Sequence, residues 1–184
     1  MIDRIKSSNP ECVIVSDQSS VMGARDLSKE NLWDDYGVIF FGGHKNFGTS
    51  GLTFVLVKDD VMEKVIDNKS KQKIVTPLMM DWTANFEQGK NYYVNTPTML
   101  TIDICQRICE HMVNMGGIEH YENLAIKRAE KIYDIIDLSK KLKDDNSDDK
   151  GAFAYECNIP VELRSTMNQV FTINCNDSSK NDKI

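Results

Sequence analysis

Three short apolar runs in the first 57 residues constrain the fold of this 184-residue chain more than any other feature. They cover residues 12–16, 37–41 and 51–57, and valine, isoleucine and phenylalanine dominate them. Such residues favour strands, and a short run without polar alternation is typical of a strand buried on both faces of a sheet. Because only a glycine-rich loop separates the second run from the third, no crossover helix fits between them. We therefore predict an α/β fold with a mixed sheet.

The apolar period then changes from that of strands to that of helices. Residues 98–115 repeat apolar side chains at helical spacing, and Gly116-Gly117 supplies a helix stop. A second helix is predicted from about Ile118 to Leu138.

The rest of the chain predicts a second, smaller unit. Residues 140–152 are charged and poor in apolar side chains, which indicates an exposed loop or insertion, and residues 167–173 predict a strand. We expect one domain at residues 1–115, the end of an α/β layer, and a partial α+β domain at residues 116–184.

Composition excludes several classes of function. The net charge of −6, without a concentrated basic patch, argues against a protein that binds nucleic acid. No apolar stretch is long enough to span a bilayer, and the first residues lack the apolar core of a signal peptide. Five irregularly spaced cysteines indicate reduced thiols in a cytoplasmic protein. Cys105 and Cys109 would share a helix face near His111, but this is too few ligands for a metal site, so no metal is predicted.

The loop between the second and third runs contains the first candidate for chemistry. It reads Gly42-Gly43-His44-Lys45-Asn46-Phe47-Gly48. Small residues allow a ligand to approach the backbone, and a partly desolvated lysine can act as a nucleophile toward a carbonyl. The spacing does not match a phosphate-binding P-loop. An ordinary surface lysine is the alternative interpretation of Lys45.

Asp17 is the second candidate, because it follows the first run at the edge where open α/β sheets bind ligands. An aspartate there can pair with a protonated pyridine nitrogen, the partner that pyridoxal phosphate needs to act as an electron sink. Alternatively, Asp17 only begins a turn or caps a helix together with Ser19 and Ser20.

Several motifs occur in one order along the chain and together resemble the phosphoserine aminotransferases, a class V family of fold-type I pyridoxal-phosphate enzymes. The motifs are Val15-Ser16-Asp17-Gln18-Ser19-Ser20, Tyr36 through Gly48, Gly51-Leu52-Thr53, Asn95-Thr96-Pro97, Gly116-Gly117 and Arg164-Ser165-Thr166-Met167-Asn168. The resemblance covers nearly the whole chain. It implies the C-terminal part of the large cofactor-binding domain, followed by the beginning of the small α+β domain.

The resemblance also implies a role for each residue of the glycine-rich loop and of the Asp17 motif. Lys45 becomes the Schiff-base lysine for pyridoxal 5'-phosphate and the acid and base of the 1,3-proton shift. Asp17 becomes the partner of the pyridinium nitrogen. His44 stands where the family usually has a glutamine that contacts the cofactor phosphate, and an imidazole can still donate a hydrogen bond there.

Asn95 and Thr96 match a pair that reaches the cofactor phosphate from the neighbouring subunit, which implies a homodimer with shared active sites. The alternative is a turn in which Thr96 is the N-cap of the next helix and Pro97 its first residue. Arg164 belongs to either a structural or a substrate-side motif of the small domain.

The function that the resemblance implies is amino transfer between O-phospho-L-serine and 2-oxoglutarate in L-serine biosynthesis, in the cytoplasm. Because family members are longer at both ends, we expect this chain to be an incomplete member. Two alternatives stay open. One is a catalytically inactive remnant that acts as a partner subunit, and the other is a fold-type I aminotransferase with a different substrate.

Overall fold

A computed structural model describes most of the chain, namely residues 2–29, 32–72, 75–90, 93, 95–145 and 153–175. The chain divides into two compact units, Met1–Asn114 and Met115–Ile184.

The first unit contains a three-stranded sheet of β1 (Val15–Asp17), β2 (Val38–Gly42) and β3 (Thr53–Val57), in that order. β1 runs parallel to β2, with Asp17 opposite Phe40, whereas β2 and β3 are antiparallel. The prediction of a mixed sheet is therefore confirmed.

Only the central strand matches the expectation of burial on both faces. Val38, Ile39 and Phe41 of β2 are buried, whereas Val15 of β1 is 58% exposed and Val55 of β3 is 46% exposed. The expectation is wrong for β1 and β3 because both are outer strands of this sheet. The first strand also begins three residues later than predicted, since residues 12–14 form no ladder.

Within the described residues of the first unit, five α-helices precede, separate or follow these strands along the chain. They are α1 (Ile2–Ser8), α2 (Leu32–Asp35), α3 (Asp59–Gln72), α4 (Trp82–Gly89) and α5 (Met99–Asn114), with a 3-10 turn at Leu78–Met80. The predicted helix over residues 98–115 is confirmed as α5. α3 was not predicted, because within it only Val61 and Met62 are buried and its apolar period is weak.

Asp81 fixes the beginning of α4. Its carboxylate accepts hydrogen bonds from the backbone N–H groups of Thr83 (3.1 Å) and Ala84 (3.2 Å), and from Lys69 of α3. The hydrogen bonds from Lys69 and Thr83 lower the pKa of Asp81 to about 2. An N-cap and an ion pair therefore coincide in one side chain.

The second unit is built on one long helix, α6 (Gly117–Asp145). Its buried side chains share one face, along which β4 (Phe153–Glu156) packs in an antiparallel pair with β5 (Thr172–Cys175). The buried residues are Ala125, Ala129, Tyr133 and Ile136.

Two boundary predictions in this unit are wrong. α6 continues through residues predicted as a loop as far as Asp145, because lysines sustain a helix without apolar periodicity. Residues 146–152 of the predicted insertion lie outside the described part of the chain. The strand predicted at 167–173 begins at Thr172 instead, because the Ser165 hydroxyl accepts hydrogen bonds from the N–H groups of Met167 and Asn168 and holds a turn there.

Over the described residues, no helix has the length and apolar character needed to cross a membrane. Among the cysteines whose side chains the structure describes, Cys12, Cys105, Cys109 and Cys157 are free.

Candidate functional site

The sheet places the ends of β1 and β2 at one edge. Because the two strands are parallel, Asp17 and Gly42 end them on the same side, and the loops that follow lie next to each other. The first loop contains Ser19 and Ser20, and the second contains His44 and Lys45. Three of the residues predicted for the site, Asp17, His44 and Lys45, therefore lie at the same edge of the sheet, because they lie at or just after the ends of parallel strands.

Asp17 begins a tight turn with Ser19. The N–H of Ser19 donates to Asp17 Oδ1 at 2.9 Å, and the N–H of Gly42 donates to Ser19 Oγ at 3.2 Å. The pKa of Asp17 is lowered, first by the side-chain and backbone hydrogen bonds of Ser19, and further by the charges of Lys45 and His44. The turn proposed as the alternative is thus present, and it leaves Asp17 as an exposed, ionised carboxylate at the end of β1.

Lys45 is exposed, and its amine is held by the neighbouring loop. Nζ donates a hydrogen bond to Ser20 Oγ at 2.5 Å. The next residue, Asn46, donates from Nδ2 to the carbonyl oxygens of Met22 (2.8 Å) and Ser20 (3.3 Å). The two loops are therefore joined both at the lysine side chain and at the residue after it.

His44 depends on a glycine. A Cβ atom built on Gly42 would overlap Nδ1 and Cε1 of the His44 ring. The imidazole therefore lies directly over the end of β2, on the exposed side of the loop.

An aromatic cluster and α5 support the loop that contains Lys45. Phe41 stacks on Phe54 with ring centroids 4.7 Å apart, and Phe47 lies 5.2 Å from Phe41. Gly48 has φ +133°, and a Cβ atom there would lie 3.2 Å from Ile104 Cγ2 of α5. The lysine loop is therefore fixed on both sides of its tip.

Asn95 and Thr96 form no described hydrogen bond with Asp17, His44 or Lys45. Both are exposed, and no described ion pair connects them to these residues. α5 begins at Met99, and the N–H of Ile102 donates to the carbonyl of Thr98. Thr98 therefore immediately precedes the helix, and the predicted alternative with Thr96 as N-cap is wrong, because the helix begins two residues later than that alternative requires.

The guanidinium group of Arg164 forms its hydrogen bonds with residues of the second unit. Its guanidinium donates to both oxygens of Asp137 (3.0 and 3.2 Å) and lies 4.7 Å above the ring of Tyr133. Its Nε donates to the carbonyl of Ile159, and 13% of its side chain is exposed. Of the two roles considered for Arg164, these contacts favour the structural one.

Sequence reasoning missed Ser20 and Asn46, although one signal was available. Each follows a strand that ends at the same edge of the sheet, as Asp17 and Lys45 do. A separate cavity of about 600 Å³ lies against β3 and α4, but its described lining includes no ionisable side chain. The predicted site residues Asp17, His44 and Lys45 are not among the described residues that line this cavity.

A family model described as aminotransferase class-V matches residues 1–163. The chain is 29% identical over 167 residues to phosphoserine aminotransferase 2, chloroplastic, of Arabidopsis thaliana, covering 90% of this chain and 33% of that protein. It is 32% identical over 161 residues to phosphoserine aminotransferase of Haemophilus influenzae, covering 86% and 37%. The chain thus spans about a third of the length of these curated relatives.

Solved structures give the same comparison. The structure of PLP-bound phosphoserine aminotransferase from Trichomonas vaginalis matches with a TM-score of 0.65 and 25% identity, over 88% of this chain and 38% of that chain. A phosphoserine aminotransferase from Cytophaga hutchinsonii matches with a TM-score of 0.68 at 18% identity, over 90% of this chain and 41% of that chain, which shows a common fold.

Proposed function

The chain belongs to the class V aminotransferase family, and from that membership we propose that its protein is a transaminase dependent on pyridoxal phosphate. The resemblance seen in the sequence motifs is confirmed, and so is the α/β fold expected of a fold-type I enzyme. The substrates proposed are O-phospho-L-serine and 2-oxoglutarate, in L-serine biosynthesis. The names of the relatives support the first substrate.

One observation carries the proposal. Lys45 and an ionised carboxylate, Asp17, lie in neighbouring loops at the carboxyl edge of a sheet, where the charge of Lys45 adds to the Ser19 hydrogen bonds that lower the pKa of Asp17. Open α/β sheets bind ligands at this edge.

The residues at the edge fit the three functional parts of pyridoxal phosphate. Lys45 would bind its aldehyde carbon, Asp17 its ring nitrogen, and His44 its phosphate. Bound there, the cofactor would supply an electron sink for breaking the Cα–H bond of an amino acid.

The protein residues then have distinct tasks. An Asp17 carboxylate with a lowered pKa stays ionised at neutral pH, so it can keep a ring nitrogen protonated. The Lys45 amine, when it is not bound to the cofactor, could carry a proton between the two carbon atoms of a 1,3-proton shift, because its long side chain would reach both. His44 can donate a hydrogen bond to a phosphate oxygen from its place above Gly42.

A second subunit is part of the proposal. Asn95 and Thr96 are exposed, and in the proposed homodimer they donate to the cofactor phosphate of the partner copy. We assign residues 1–115 to the large cofactor-binding domain and residues 116–184 to the small domain. A cytoplasmic location completes the proposal, since the free thiols suit a reducing compartment.

Substrate-dependent loss of the cofactor's absorption tests the function. After loading with pyridoxal phosphate, the visible absorption band should fade on addition of phosphoserine, and 2-oxoglutarate should restore it. Serine, which lacks the phosphate, is the matched control and should have little effect. A band that responds equally to serine and phosphoserine would contradict the proposed substrate.

A further inference from the structure

The contact between Lys45 and Ser20 is not explained by the roles assigned to the sheet edge. Lys45 Nζ donates to Ser20 Oγ at 2.5 Å, although both residues belong to loops on which solvent-facing side chains are free to rotate. An exposed lysine normally samples many rotamers. Here the amine has one defined partner.

Asn46 holds the two loops in the position that the hydrogen bond between Lys45 and Ser20 requires. Its side-chain amide donates to the carbonyls of Ser20 and Met22, so it fixes the backbone that contains Ser20 relative to the backbone that contains Lys45. Asn46 is only partly exposed. Its side-chain amide has two N–H donors, and because both bond carbonyls of the loop after β1, this side chain joins that loop to its own. The distance between the lysine backbone and the serine hydroxyl is thereby set.

The hydroxyl of the preceding residue, Ser19, makes a similar contact with Asp17. Ser19 accepts a hydrogen bond from Gly42 N–H and bonds the carboxylate of Asp17. Two consecutive hydroxyls therefore contact the two charged groups of the site, Ser19 the carboxylate and Ser20 the amine. A single turn orients both.

We infer that Ser20 is a positioning residue for Lys45, holding the amine against the loop that follows Asp17. This inference rests on the proposed function, because the orientation matters only if Lys45 captures a cofactor aldehyde. Holding the amine beforehand removes part of the conformational entropy that the long side chain would otherwise lose on capture. Ser20 itself forms no bond to the cofactor in this role.

The rate of cofactor capture tests the inference. In capture, the Lys45 ammonium loses one proton to solvent, and the amine condenses with the aldehyde of pyridoxal phosphate, releasing one water. Ser20→Ala should slow formation of this covalent adduct by about fivefold to tenfold, the effect expected for the loss of one ordinary hydrogen bond. Ser20→Thr keeps the hydroxyl and should restore the rate to within about twofold.

Thr49→Ala is the matched control. Thr49 belongs to the same loop as Lys45, and its hydroxyl contacts only the carbonyl of Ser50 among the described residues. This variant should capture the cofactor at the rate of the unmodified protein.

The outcomes separate the inference from the function on which it rests. No adduct on Lys45 in the unmodified protein would overturn the proposed function. A normal adduct that forms equally fast in Ser20→Ala would overturn only the inference. If Ser20→Ala fails to fold, Ser20→Cys replaces it with nearly the same shape, and unfolding of both would also contradict the inference, because the hydroxyl would then be needed for folding.

Discussion

At the scale of residues, neighbours rather than burial set the properties of the site. Asp17 is exposed, yet the pKa of its carboxyl lies below the ordinary value, because Ser19 donates hydrogen bonds to it and Lys45 and His44 add positive charge. Hydrogen bonds to the charged form of an acid favour that form. The carboxylate is thus kept ionised without a buried pocket.

Removing the Ser19 hydroxyl should raise the pKa of Asp17 toward the ordinary value of 3.8. Since the folded-state pKa is lowered, the hydrogen bond stabilises the fold above pH 3.8 and loses this effect as the pH falls through the folded pKa. NMR titration of the side-chain carboxyl carbon in Ser19→Ala measures the shift.

The chain offers a matched control in a second Asp-x-Ser turn. Ser28 donates to Asp26 from both its N–H and its hydroxyl, and these bonds lower the pKa of Asp26. Ser28→Ala should raise the pKa of Asp26 and leave that of Asp17 unchanged. An unchanged Asp17 titration in Ser19→Ala would contradict the assignment.

Gly48 supports the loop through its backbone conformation. With φ at +133° and Ile104 close by, Gly48→Ala should destabilise the first unit by about 1 kcal/mol or more, measured by denaturant unfolding. Gly89→Ala is the control. A Cβ atom added at Gly89 would meet no atom within 4 Å outside its own helix turn, and its φ is not in the left-handed region. It should be neutral or slightly stabilising. Equal losses in the two variants would argue against strain at Gly48.

At the scale of elements, the sequence predicted those whose apolar residues follow one clear period. β2 and α5 were found because apolar side chains mark them. α3 and the last turns of α6 were missed because their surfaces are mostly charged, so only helix propensity, a weak signal, indicates them. The position of β5 was misjudged because the hydroxyl of Ser165 decides where the strand begins.

α6 has two adjacent isoleucines, one buried and one exposed. Ile136 is 3% exposed within a cluster with Ala129 and Tyr133, whereas Ile135 is 61% exposed. Ile136→Ala should lower the free energy of unfolding by about 2–4 kcal/mol, and Ile135→Ala by less than about 0.5 kcal/mol. Chemical denaturation of both variants checks this. Similar losses in the two would contradict the packing of α6 on β4.

At the scale of the whole molecule, one chain contains only part of the proposed site. Asp17 and Lys45 could be predicted because Asp17 ends β1 and Lys45 follows the end of β2, and parallel strands end at the same edge. For Ser20 and Asn46 the sequence indicated only the strand ends that they follow, because their bonding partners depend on how two loops meet. The role proposed for Asn95 and Thr96 would concern a second copy of the chain.

Mixing two variants tests the shared site. A subunit with Asn95→Ala and Thr96→Ala keeps Lys45 but should bind pyridoxal phosphate weakly, and Lys45→Ala has the opposite defect. After random mixing in equal amounts, about half of the Lys45 sites should regain tight binding, because a two-fold symmetric dimer places one intact site in each hybrid. Cofactor affinity that does not change on mixing would argue against a shared site.

The most direct measurement of the central claim is the location of the cofactor's covalent bond. The protein is incubated with pyridoxal phosphate, reduced with borohydride, digested and mapped by mass spectrometry. We predict a label on the peptide containing Lys45, lost in Lys45→Ala and kept in Lys71→Ala, whose exposed lysine pairs only with Asp67 among the described residues. Labelling spread evenly over surface lysines, or undiminished in Lys45→Ala, would contradict the account.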